Sequence, residues 1–193
     1  MNYAPSITKE EISTLPVEIF PGKIIVIDKI KDLEEAIAYI SAQTCVGFDT
    51  ETRPNFSKKQ HHKVSLIQIS MEDTCYLFRL NKLGGIPASL IDFFKNKQVT
   101  KVGLSLLDDF HGMRKLAPID PLNFIDLQKF VPSFGIEDAS LQKIYAILFG
   151  KKISKKTRIS NGETEELSEA QQRYAALDAW ACLRIYQYLI QLQ

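Results

Sequence analysis

The stretch Val46-Gly47-Phe48-Asp49-Thr50-Glu51 sets two carboxylates two residues apart inside an apolar run that reads as a strand. On a strand, residues i and i+2 point to the same face, so Asp49 and Glu51 project together. Like charges held that close repel, and each raises the other's pKa. A cation beside them keeps both ionised. With all-oxygen donors the natural ions are Mg²⁺ or Mn²⁺.

Two further carboxylates fall where the apolar pattern points inward. Ser168-Glu169-Ala170-Gln171 has the form of a capping box and starts a long helix. Along it Tyr174, Leu177, Ala181, Ile185 and Tyr188 follow helical spacing, with Asp178 inside the same face. A carboxylate there is costly to desolvate unless a cation or good hydrogen bonds meet it. Tyr174 lies one turn earlier on that face. The plainer reading is an aspartate bonded to backbone at a helix–sheet contact. Upstream, Phe110, Met113, Leu116 and Ala117 define the buried face of another helix. At about 100° per residue, Asp109 falls near the middle of that face and Asp108 on the far side. Asp108 therefore reads as an exposed helix-start residue. One inward acid is usually structural, but Asp49, Glu51, Asp109 and Asp178 with Tyr174 are hard to explain as packing. Their chemistry is phosphoryl transfer with two divalent ions about 3.5–4 Å apart, one activating water and one stabilising the leaving oxygen.

The elements that must hold these groups can be placed in outline. Strands are expected over 24–27, 44–51, 64–69, 75–78, 100–104 and 122–125. Helices are expected over 32–42 and 90–94, near Asp109, over 141–148, and from Ser168 onward. The polar turn Met71-Glu72-Asp73-Thr74 makes the strands on either side antiparallel neighbours. A meander followed by alternating helix and strand predicts an α/β fold with a mixed sheet flanked by helices. Residues 1–21 read as an N-terminal arm with no strong pattern, and 22–193 as a single domain.

The chain has 193 residues, enough for one well-packed domain. It is 45% hydrophobic and 24% charged, with a formal net charge of +1. Any basic surface must therefore be local. Cys45, Cys75 and Cys182 are widely spaced in apolar runs, a pattern of buried reduced thiols rather than disulfides or a zinc site. No apolar run approaches the roughly 20 residues of a membrane span. No basic-then-apolar leader opens the sequence, so the expected setting is cytoplasmic with no membrane partner.

Phe48-Asp49-Thr50-Glu51, Asp109 after Lys101-Val102-Gly103, and Tyr174-Ala175-Ala176-Leu177-Asp178-Ala179 resemble the three motifs of the DEDD 3′→5′ exonuclease superfamily. The Tyr-x-x-x-Asp form resembles the tyrosine subgroup, which includes ribonuclease D and the Werner-syndrome exonuclease domain. The likeness to the latter extends to Lys63-Val64-Ser65-Leu66-Ile67-Gln68-Ile69 and to Leu167-Ser168-Glu169-Ala170-Gln171-Gln172-Arg173-Tyr174. It runs from Ile24 to Leu189. It implies a ribonuclease-H-like fold with a central five-stranded mixed sheet and a possible extra N-terminal strand. It also implies that Asp49, Glu51, Asp109 and Asp178 ligate two Mg²⁺ or Mn²⁺ ions, and that Tyr174 orients the attacking water. The histidine subgroup's position is Arg173 here. Relatives often carry Ser-Asn-Trp before the last helix, where this chain has Ser160-Asn161-Gly162.

Lys151, Lys152, Lys155, Lys156 and Arg158 form one basic cluster, and Lys58, Lys59, His61, His62 and Lys63 another. Both flank the acidic elements and are candidate contacts to a phosphate backbone; the plainer reading is solvated loops. His61-His62 makes no convincing metal site. Phe56 either stacks on a base or simply packs. Thr50 and Phe48 should pack under the sheet, and Thr52 and Leu66 are weaker candidates for the cleft wall. The expected activity is 3′→5′ hydrolysis of terminal phosphodiesters, at a single-stranded or recessed 3′ end, releasing 5′-mononucleotides. DNA is favoured over RNA as substrate, and repair or RNA-processing partners could supply specificity. The rival is a non-catalytic nucleic-acid-binding or partner-recruiting module on the same fold.

Overall fold

The computed structural model describes residues 3–52, 63–154 and 166–192. Its strands are β1 (Lys23–Ile27), β2 (Cys45–Thr52), β3 (Val64–Ser70), β4 (Thr74–Arg79), β5 (Thr100–Gly103) and β6 (Phe124–Asp126). Its α-helices are α1 (Lys9–Thr14), α2 (Leu33–Ser41), α3 (Leu80–Leu83), α4 (Ala88–Lys95), α5 (Leu106–Arg114), α6 (Leu127–Phe130), α7 (Leu141–Phe149) and α8 (Glu169–Ile190). The strands form one six-stranded sheet in the order β1-β4-β3-β2-β5-β6. β3 runs antiparallel to both β2 and β4, while β1 with β4, β2 with β5, and β5 with β6 are parallel pairs. The fold is thus the expected α/β mixed sheet, with β1 as the extra edge strand.

Alternation along each strand divides the interior in two. Val46 and Phe48 of β2 join α2, α4 and α5 on one face. Leu66, Leu77 and Val102 join α7 and α8 on the other. All of β3 is buried, as a strand covered on both faces must be. The ends of α8 follow from its sequence. The Ser168 hydroxyl accepts from the Gln171 N–H at 3.3 Å, and the Gln171 side chain accepts from the Ser168 N–H at 2.9 Å, completing the capping box.

α8 lies unusually close to β2. A Cβ built on Gly47 falls inside the contact radius of the Ala179 carbonyl oxygen and 2.8 Å from its carbonyl carbon. Helix backbone therefore rests on strand backbone, and only glycine leaves room for it.

The arm has more structure than its sequence pattern suggested. α1 is closed by a capping box between Thr8 and Glu11, yet buries no residue, so it shows no apolar stripe. Phe20 is buried edge-on against Trp180, with ring centroids 5.9 Å apart. Glu18 is buried too, accepting from the Tyr145 hydroxyl at 2.8 Å, Lys151 at 3.0 Å and Arg184 at 3.0 Å. Burial alone would push the Glu18 carboxyl up, but the bonds from Tyr145, Lys151 and the Ile19 N–H hold it below its ordinary range. Of the cysteines, Cys75 and Cys182 are buried and Cys45 is half-buried; all three are free thiols.

Gly47→Ala should cost about 3 kcal/mol or more, because overpacking here meets backbone rather than a side chain that can turn away. Urea denaturation measures it, and a variant of wild-type stability would contradict the close approach.

Candidate active site

β2 and α8 bring three of the predicted carboxylates together. Asp49, Glu51 and Asp178 each offer an oxygen within 4.8 Å of the others. The first two come from the strand face under α8. The third comes from the turn of α8 that carries Ala179, so the Gly47 contact sets how near it stands. Tyr174, one turn before Asp178, is buried and lines the same cleft of about 250 Å³. Ser140, Leu141 and Gln142, at the start of α7, form the facing wall.

The charges in this cluster oppose one another. Burial, then the charges of Asp178, Asp109 and Glu51, push the Asp49 carboxyl well above the usual carboxylate range, against a backbone hydrogen bond from Thr50. A hard divalent cation would offset this crowded negative charge, and an all-carboxylate donor set suits Mg²⁺ or Mn²⁺.

Asp109 stands apart from the trio. It faces inward from the first turn of α5, as its wheel position predicts, but its carboxylate accepts a hydrogen bond from the Thr50 hydroxyl. Thr50 belongs to the strand face opposite Asp49 and Glu51. Burial raises Asp109 to about 7, with Asp108 and Asp126 adding to the rise and the Thr50 bond opposing it. Thr50 was expected only to pack under the sheet, as its neighbour Phe48 does; instead it holds the fourth acid and borders the cleft. Leu66 is a core residue. Asp108 is exposed, as read.

Asp126 was not singled out from sequence. Its carboxylate accepts from the N–H groups of Ser105 at 3.0 Å, Leu106 at 3.1 Å and Gln128 at 3.0 Å. It thus caps the starts of α5 and α6 together, where a negative charge is favoured. Ser105, with φ of 63°, makes the sharp entry to α5. The available signal was an acid at a strand end just before an apolar helical turn.

The basic candidates divide. The Lys151 ammonium is paired with Glu18, and that of Lys152 donates to the Ser13 carbonyl, so both tie the arm to the segment after α7. Lys155, Lys156, Arg158, Lys58 and Lys59 lie outside the described residues, as do His61, His62, Phe56 and Ser160-Asn161-Gly162.

A family model described as 3′-5′ exonuclease matches residues 24–192. The chain is 31% identical over 184 residues to the bifunctional 3′-5′ exonuclease/ATP-dependent helicase WRN of Mus musculus, covering 91% of this chain and 13% of that protein. It spans less than two thirds of the curated relatives it matches, 58% of a Drosophila willistoni 3′-5′ exonuclease among them. The fold is similar to the Nibbler EXO domain of Aedes aegypti, with a TM-score of 0.73 and 24% identity over 88% of this chain and 90% of that one. It is also similar to Escherichia coli RNase D, an exoribonuclease, with a TM-score of 0.77 and 20% identity over 88% of this chain and 44% of that one.

The raised carboxyls give a signed pH effect. An acid whose folded pKa is raised favours the protonated folded state. Its contribution is present below the unfolded value near 3.8 and lost as pH rises through the folded value, about 7 for Asp109. Asp49→Asn removes the most crowded of these charges. In chelator its Tm gain over wild type should be near zero at pH 4 and grow toward pH 8. A gain independent of pH in paired thermal melts would contradict the crowding.

Proposed function

Since the chain belongs to the 3′-5′ exonuclease family, we propose that it is a metal-dependent 3′→5′ exonuclease that removes 5′-mononucleotides from the end of a nucleic acid. The observation carrying this reading is the trio Asp49, Glu51 and Asp178, whose oxygens lie within 4.8 Å of one another at the floor of an open cleft. These three, with Asp109 released from Thr50, are the residues that would hold two Mg²⁺ or Mn²⁺ ions. Such ions supply a nucleophilic water at neutral pH and offset charge on the phosphoryl and leaving oxygens.

The chain's own groups do the rest. Tyr174 presents its hydroxyl from the helical turn before Asp178 and orients the attacking water. Glu51, beside it on β2, helps position that water and accepts its proton. The wall from α7 confines the terminal nucleotide. Lys58, Lys59, Lys155, Lys156 and Arg158 contact the phosphate backbone, while Lys151 and Lys152 brace the arm. DNA is the favoured substrate and RNA the second: the relative from Mus musculus is named for exonuclease and helicase together, whereas the Escherichia coli neighbour is an exoribonuclease.

The deciding assay follows 3′-end degradation of labelled single-stranded DNA, recessed-end duplex and RNA in Mg²⁺, Mn²⁺ or chelator. Mononucleotide release should vanish in chelator and in Asp49→Ala, and Tyr174→Phe should lower turnover by roughly 100-fold with metal affinity nearly intact. Activity surviving chelator would reject the metal-dependent scheme. Inactivity on every substrate would favour a binding module on the same fold. Converting Lys155, Lys156 and Arg158 to Ala should weaken binding and flatten its salt dependence, and an unchanged salt slope would remove them from the backbone contact.

A further inference from the structure

Gln68 sits on β3 directly opposite Asp49 in the antiparallel register. The two side chains leave the sheet on the same face, the one under α8, with Cβ atoms about 5 Å apart. Gln68 is fully buried. Among the described residues, neither its amide nitrogen nor its amide oxygen has a hydrogen-bond partner. Buried side-chain amides in folded proteins are almost always bonded, so one idle at both ends calls for a cause. Packing alone supplies none. On its own strand Leu66, Ile67 and Ile69 are equally buried, and across β4 the residue in register is Leu77, so an apolar side chain would fill the place without a desolvation cost.

The residue in register with it on β2 is Asp49, whose side chain leaves the sheet on the same face. We propose that Gln68 is a positioning residue: with a divalent cation bound, its amide N–H donates to one oxygen of Asp49 and so turns the other toward the ion. Groups behind a metal ligand fix its orientation in this way, and their loss weakens metal binding without removing any ligand. The inference rests on reading the trio as a metal centre. It adds a residue from β3 to a trio built from β2 and α8. It also explains why the central strand keeps an amide where a hydrocarbon would be easier to bury.

The test compares wild type, Gln68→Met and Gln68→Leu, all as full chains, by thermal melting in chelator and by Mn²⁺ titration read by electron paramagnetic resonance. Both variants should match or exceed the wild-type Tm in chelator, because an unbonded amide has been replaced by an apolar group. Both should nevertheless bind Mn²⁺ about tenfold more weakly or worse. Unchanged Mn²⁺ affinity in either folded variant would overturn the positioning role, and so would a loss of metal-free stability in both, which would mark a packing group. Absence of Mn²⁺ binding by wild type would overturn the metal-centre reading itself, an outcome separate from the other two.

Discussion

The site depends on one contact, the seat of α8 on the backbone of β2. At Gly47 the strand has no side chain, and the Ala179 carbonyl occupies the space a Cβ would need. That contact sets the spacing between helix and strand for the residues around it. Asp178 precedes Ala179, and Asp49 follows Gly47 by two positions on the same face. With a larger residue at 47 the helix would ride outward and the carboxylates would part. Close packing is here the means of crowding charge, and the capping box at Ser168 keeps the helix in phase while it does so.

The two classes of buried acid show how differently one chemical group can be treated. Glu18 and Asp126 are each met by donors: a tyrosine, a lysine and an arginine for the first, three backbone N–H groups for the second. Asp49 and Asp109 are pushed toward protonation by burial and by other acids. The first pair stabilises the apo fold; the second is kept at a cost to it. Sites that must bind charge commonly hold such unrelieved strain until the partner arrives.

Much of this was legible in the sequence because it follows from periodicity. The alternation through Val46 to Glu51 gave the strand and its paired acids, and the 3.6-residue spacing from Tyr174 to Ile185 gave the inward face of α8. The meander around Met71–Thr74 was visible from its turn. What escaped has a physical reason in each case. α1 has cap residues but no buried face, so it leaves no hydrophobic period. α3 and α6 are single turns, too short to establish one. The Thr50–Asp109 bond joins groups 59 residues apart and depends on where α5 lands against β2. The same holds for Lys151, which as sequence is one of a basic run and in the fold answers Glu18 across 133 residues.

That arm has a kinetic consequence. The bond from Arg184 to Glu18 closes 166 residues of chain. The meander β2–β3–β4 closes loops a fraction of that length. Closure entropy grows with loop length, and contacts of wide separation form late. Closure of that span costs least once the sheet is paired and α8 is seated, an order that loop entropy favours for the arm. Until then Glu18 has no arginine to meet. The clamp thus ties the arm directly to the helix that carries Asp178, through Arg184 about two turns further along it.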